Sequence, residues 1–93
     1  MKLEDNNTRN ELLKRLRRIE GQVRGVQTML TDERNCHEIL QQLNAIQSAM
    51  RGATLQLVET SAAACFQEIA NAENIHQRDL ILQDLLALVK KAS

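Results

Sequence analysis

The sequence predicts an all-α subunit of three helices with a long second helix, and three observations carry that prediction. The 93-residue chain has no proline and three glycines, and it is rich in Leu, Gln, Ala, Arg and Glu, which are good helix formers. Its apolar residues recur at spacings of four and three instead of two. Each periodic run is preceded by a polar stretch with Thr or Asn where a helix cap belongs.

The first helix is expected to start at "TRNE", Thr8 to Glu11, which has the Ser/Thr-x-x-Glu form of a capping box. Residues 1–7 ahead of it are expected to form a flexible tail. Leu12, Leu16, Ile19, Val23, Val26 and Leu30 then make one apolar stripe. "TDERN" interrupts the pattern, and Asn35 with Glu38 gives a second, box-like start. From Cys36 the residues Ile39, Leu43, Ile46, Met50, Ala53 and Leu57 repeat the spacing, so the second helix runs to about Ala70. "NAEN" reads as a turn, Asn74 as a cap, and Ile81, Leu82, Leu85, Leu86 and Val89 as the apolar face of the third helix. Met29 and Met50 fall at core spacing.

A helix of about 35 residues spans roughly 50 Å. A first helix of about 22 residues covers only part of it as an antiparallel hairpin, so the uncovered apolar remainder calls for another subunit. The expectation is a single domain over residues 1–93 that is an obligate oligomer built on the second helix. A monomeric bundle, with that helix broken near Gly52, is the alternative.

The two cysteines, Cys36 and Cys65, are 29 residues apart on this helix. At 100° per residue they return to within about 20° of one direction, yet lie about 43 Å apart. One chain cannot join them. If two copies of the helix pair antiparallel about a two-fold axis, Cys36 of one chain faces Cys65 of the other, twice per dimer. Ala62, Ala63 and Ala64 would permit close approach. Cys36 sits in the first turn, where free N–H groups and the helix dipole favour an anion, so it is the candidate nucleophile. The alternative is that both thiols are small buried apolar residues. His37 adjoins Cys36 but points about 100° away, and His76 opens the third helix; each is either a surface residue or a neighbour of the thiols.

Composition removes several classes. No apolar run reaches the roughly 18 residues of a membrane span and no N-terminal segment reads as a signal peptide, so a cytoplasmic protein with reduced thiols is expected. No acid–base pair, phosphate loop, metal motif or C-x-x-C spacing marks an enzyme, and no cofactor is implied. Net charge is zero, but it is unevenly spread. Arg9 to Arg24 carries six basic side chains against Glu11 and Glu20. That is the local footprint of a nucleic-acid surface or of a solvated helix face. Scarcity of aromatic residues argues against single-stranded binding by base stacking.

"RLRRIEGQVRGVQTML", Cys36 at the start of the second helix, "ILQQLNAIQSAM" and Cys65 together resemble the CsoR/RcnR family of small bacterial transcriptional repressors, over nearly the whole chain. The resemblance implies an antiparallel dimer with sensor sites between subunits, a dimer of dimers as the working form, and repression by binding double-stranded operator DNA until an inducer relieves it. Lys14, Arg15, Arg17, Arg18 and Arg24 would then contact phosphates, with Arg51 and Gln22 as further DNA-binding candidates.

Within the family, copper sensors place a His four residues before the second Cys, a Tyr just before the first and a Glu in the third helix. Here those positions hold Ser61, Asn35 and Ile81. Nickel and cobalt sensors carry an additional N-terminal His, and formaldehyde sensors an N-terminal Pro; this chain has neither. A Cys pair without the metal-binding His is similar to the persulfide-sensing branch. There, Cys36 would attack a persulfide or polysulfide and Cys65 of the other chain would capture the modified sulfur, with no metal involved. A Cu(I)-responsive repressor using both thiolates is the alternative.

Overall fold

The computed structural model describes all 93 residues as three helices: α1 (Asn6–Thr31), α2 (Cys36–Ala70) and α3 (Ile75–Ala92). The second and third begin at the caps the sequence marks. Asn35 Oδ1 accepts the His37 N–H at 2.8 Å, and Asn74 Oδ1 accepts that of Gln77 at 2.9 Å. Glu38 does not close the expected box; it turns to Arg34 at 2.8 Å.

The first helix begins two residues earlier than the Thr8 box. Asp5 is its cap, accepting the Asn7 N–H at 3.1 Å, and the Thr8 hydroxyl donates to Asp5 at 2.7 Å. A carboxylate is the stronger acceptor at a helix N-terminus, so it takes the capping role from the hydroxyl. The Thr8 hydrogen bond holds the Asp5 carboxyl below its ordinary pKa.

α1 ends in a Schellman turn. Arg34 N–H bonds to the Met29 carbonyl at 2.9 Å and Glu33 N–H to that of Leu30 at 3.2 Å, with Glu33 in the left-handed region at φ 57°. Glycine normally fills such a position.

α1 runs antiparallel to α2, with Thr8 beside Thr60 at 3.5 Å and Gln56 donating to Glu11 at 2.7 Å. α3 folds back on the C-terminal half of α2, and α1 and α3 do not pack on each other. α2 continues unbroken through Gly52, although a glycine inside a helix costs about 1 kcal/mol relative to alanine.

The result is a slab of 61 × 24 × 13 Å, about one helix thick. Only five apolar residues are buried: Ile19, Val26, Ala53, Cys65 and Leu85. The α1 stripe divides between two surfaces. Ile19 and Val26 face α2, whereas Leu16, Val23 and Leu30 are exposed, Leu30 to 60 %. Leu43, Met50 and Leu57 of α2 are uncovered likewise. A layer this thin has no second apolar face of its own, and its exposed leucines need a further protein layer.

Candidate functional site

The first cysteine is placed by the α1–α2 turn. The Schellman turn reverses the chain, Asn35 caps α2, and Cys36 becomes its first residue. Its side chain is exposed. His37, one position on, is exposed on a different side of the helix.

The second cysteine sits in opposite surroundings. Cys65 is 2 % exposed and lines a cavity of about 520 Å³ together with Ser61, Thr60, Glu68, Ile81 and Asp84. Residues Met1 to Asp5 close the same cavity. They reach from α1 to α3, where the Met1 amino group lies 3.6 Å from Asp84, and the Arg9 guanidinium donates to the Leu3 carbonyl.

Burial pushes the Cys65 thiol above its ordinary pKa. The Glu68 and Asp84 carboxylates add to the rise, and the Met1 amino group opposes it. A thiol held protonated is a poor nucleophile. Ser61, one turn before Cys65, is also buried.

The protomer does not bring the two thiols together, because 29 residues of one unbroken helix separate them. Nor does it bring three His, Cys, Asp or Glu side chains close enough to hold a metal ion between them. His76 is exposed in the first turn of α3 and is not among the residues lining the Cys65 cavity. Glu68, Asp84 and residues 1–5 are the neighbours that sequence reading missed. No local pattern announces them, since they reach Cys65 through tertiary packing.

The basic residues fall into three sets. Lys14, Arg15, Arg18 and Gln22 line a groove of about 600 Å³ between α1 and α2, in which Gln22 Oε1 is buried without a partner. Arg17 and Arg24 lie around the helix from these, and Arg24 is 3.5 Å from Glu20. Arg51 donates to Ser48 at 3.2 Å and borders a different, apolar groove with Leu55 and Val89. Lys14, Arg15, Arg17 and Arg18 have no carboxylate within 4.0 Å, so their charge is free for an outside anion.

Residues 8–91 match the family of metal-sensitive transcriptional repressors. The chain belongs to the CsoR/RcnR family. It is 36 % identical over 83 residues to the copper-sensing transcriptional repressor CsoR of Bacillus subtilis (strain 168), covering 89 % of this chain and 79 % of that one. Among solved structures it is similar to the nickel-responsive transcriptional regulator InrS, with a TM-score of 0.84, 27 % identity and coverage of 100 % and 98 % of the two chains. The Cu(I)-bound copper-sensing repressor CsoR from Geobacillus thermodenitrificans NG80-2 gives a TM-score of 0.77 at 40 % identity, over 98 % and 92 %.

The CsoR/RcnR chain is thus a sensing transcriptional repressor and not an enzyme. Repressors of this family bind operator DNA and form oligomers. No helix here is long and apolar enough to cross a membrane.

Proposed function

We propose that this repressor senses reactive sulfur through Cys36 of one subunit and Cys65 of another, and releases operator DNA when they become joined. The observation that carries the reading is the contrast between the two thiols. An exposed Cys36 at a helix N-terminus is the attacking group. A buried Cys65, kept protonated, beside Ser61 instead of an imidazole, is the resolving group.

The chemistry needs no metal. Cys36 thiolate attacks the sulfane sulfur of a persulfide RSSH, giving Cys36–SSH and releasing RS⁻. Cys65 of the facing subunit, passing its proton to the departing hydrosulfide, then attacks the inner Cys36 sulfur, forming a disulfide with loss of H₂S. If both cysteines carry a sulfane sulfur, one persulfide displaces hydrosulfide from the other and a trisulfide results. Stacking two α2 helices antiparallel would cover Leu43, Met50 and Leu57 and bring each Cys36 to the end of the partner helix that carries Cys65, where residues 1–5 must draw aside for the sulfurs to meet. A link across the dimer constrains both α2 helices and biases the quaternary arrangement that holds DNA. On this reading the reduced form is a dimer of dimers whose unpaired α1 cations contact phosphates, and the regulated genes dispose of sulfide.

A second reading has its own support. The relatives of highest identity reported above are named copper sensors, and two thiolates alone bind Cu(I), a soft ion. Ser61 is a hard oxygen and adds nothing to such a site.

The test is non-reducing intact-mass spectrometry of the reduced protein after treatment with an organic persulfide, hydrogen peroxide or Cu(I). Binding to a duplex selected from random DNA by the reduced protein is followed on the same samples. The proposal expects covalent dimers, joined by a disulfide or carrying one added sulfur as the trisulfide, and lost DNA binding, with the persulfide. Unmodified monomers that keep DNA under persulfide but release it under Cu(I) would establish the second reading instead.

A further inference from the structure

Gly52 raises a question that the sensor does not answer. It lies in the interior of a 35-residue helix, where alanine is the better residue, and it does not break that helix. A β-carbon built there would meet one atom only, Nη1 of Arg15 at 2.9 Å, and nothing of the α1 backbone or of an apolar side chain. The glycine is therefore not required for α1 and α2 to approach. Gly21 and Gly25 differ, having nothing within 4 Å of such a carbon. Within the protomer, Gly52 is the glycine whose missing side chain is used, and a cation uses it.

That cation has no ion-pair partner. Glu11, the nearby carboxylate of the groove, is engaged by Gln56 at 2.7 Å, and no acidic oxygen lies within 4.0 Å of Arg15. Lys14 and Arg18 border the same groove. Three positive side chains thus border a recess whose one carboxylate, Glu11, is ion-paired to none of them, and the exposed Arg15 guanidinium occupies the space that a side chain at position 52 would fill. With that space open to it, the guanidinium can lie along α2 and present its planar fork of donors to a phosphate.

We infer that Gly52 is a positioning residue for DNA binding: its missing side chain seats the Arg15 guanidinium in the α1–α2 groove, poised for a backbone phosphate. This deepens the reading of α1 as the DNA surface and rests on it. The inference predicts that one substitution moves stability and function in opposite directions. An alanine at position 52 gains helix propensity, and the atom it displaces is the free end of a flexible side chain. The fold tolerates the change while the seat is lost.

The experiment uses the reduced full chain as Gly52→Ala, Arg15→Ala, the double variant, Lys14→Ala and Arg18→Ala. Thermal unfolding, sedimentation and anisotropy titration of a duplex selected with the wild-type protein are measured at several salt concentrations. Gly52→Ala is expected to raise Tm by about 4 °C with unchanged assembly. It should also weaken DNA binding on the order of tenfold at about 0.15 M salt and flatten the salt slope, as loss of a phosphate contact does.

Because Gly52 acts through Arg15, the double variant should bind no worse than Arg15→Ala alone. Arg15→Lys, which leaves Gly52 intact, should lose most of the same affinity and keeps the inference testable if Gly52→Ala misfolds. Wild-type affinity in Gly52→Ala beside a weakened Lys14→Ala or Arg18→Ala would overturn the seat and leave α1 as the DNA surface. Additive losses in the double variant would overturn it as well. Unchanged binding in every α1 variant would remove the DNA surface and the seat together.

Discussion

The N-terminal end of α2 presents Cys36 to solvent on the first helical residue, whereas five residues from the other end Cys65 lies beneath residues 1–5 and α3. The same functional group at two ends of one helix thereby has two chemistries. The first thiol stands at the positive end of the helix dipole, on the first residue after the Asn35 cap. Burial and two carboxylates hold the second in its protonated form. A sensor that must react first at one sulfur and then trap the product at another needs this asymmetry, and a pair of equivalent thiols would lack an order of events.

Removing either sulfur should have the largest effect. Cys36→Ala and Cys65→Ala are each expected to abolish persulfide-induced covalent dimers and DNA release while the reduced proteins bind DNA normally, as read by non-reducing electrophoresis and anisotropy. Persistent release in Cys65→Ala would show that modification of Cys36 alone suffices.

Next in size is the difference in reactivity. Peptide-mapped alkylation of the reduced protein should label Cys36 at least about tenfold faster than Cys65. Asp84→Asn removes a negative charge near Cys65 and the partner of the Met1 amino group, so it should narrow the gap by speeding Cys65 alone. Equal labelling in the wild type would erase the comparison.

A smaller effect follows from the raised Cys65 pKa. The folded state holds this proton more tightly than the unfolded chain does, so stability from it is full below the ordinary value of 9.0. It is lost as pH rises from there through the higher folded value. Chemical denaturation followed upward in pH from the ordinary thiol value of 9.0 should show a decline that Cys65→Ser lacks.

The smallest effect concerns the turn that delivers Cys36. Glu33 occupies a left-handed position, so Glu33→Gly should stabilise the protein by about 0.5–1 kcal/mol. Urea denaturation would measure the gain, with Cys36 reactivity unchanged.

Sequence reading succeeds where the physics is local. Asn35 and Asn74 cap their own helices within two or three residues, and their positions follow from the residue types alone. It misplaces the start of α1 because Asp5 and Thr8 compete for one role and the spacing of Thr8 and Glu11 does not reveal the better acceptor. The α1 stripe reads as a single face, yet Ile19 and Leu16 point to different surfaces. The pattern records every apolar contact the helix will make, including those outside the protomer, without saying which belong to α2. Glu33 is invisible for want of a glycine. The cover over Cys65 is equally hidden, since residues 1–5 and Asp84 meet only after α1, α2 and α3 have packed. The Gly52 seat likewise joins residues 37 positions apart.

On the proposed reading two chains contribute one thiol each to a site, and subunit mixing shows whether they do. Cys36→Ala and Cys65→Ala proteins are mixed, allowed to exchange and treated with an organic persulfide, and covalent dimers are counted without reductant. The antiparallel arrangement predicts none from either variant alone and a clear yield from the mixture, in which each mixed dimer retains one Cys36–Cys65 pair. Covalent dimers from a single variant, or none from a mixture shown to have exchanged, would contradict it.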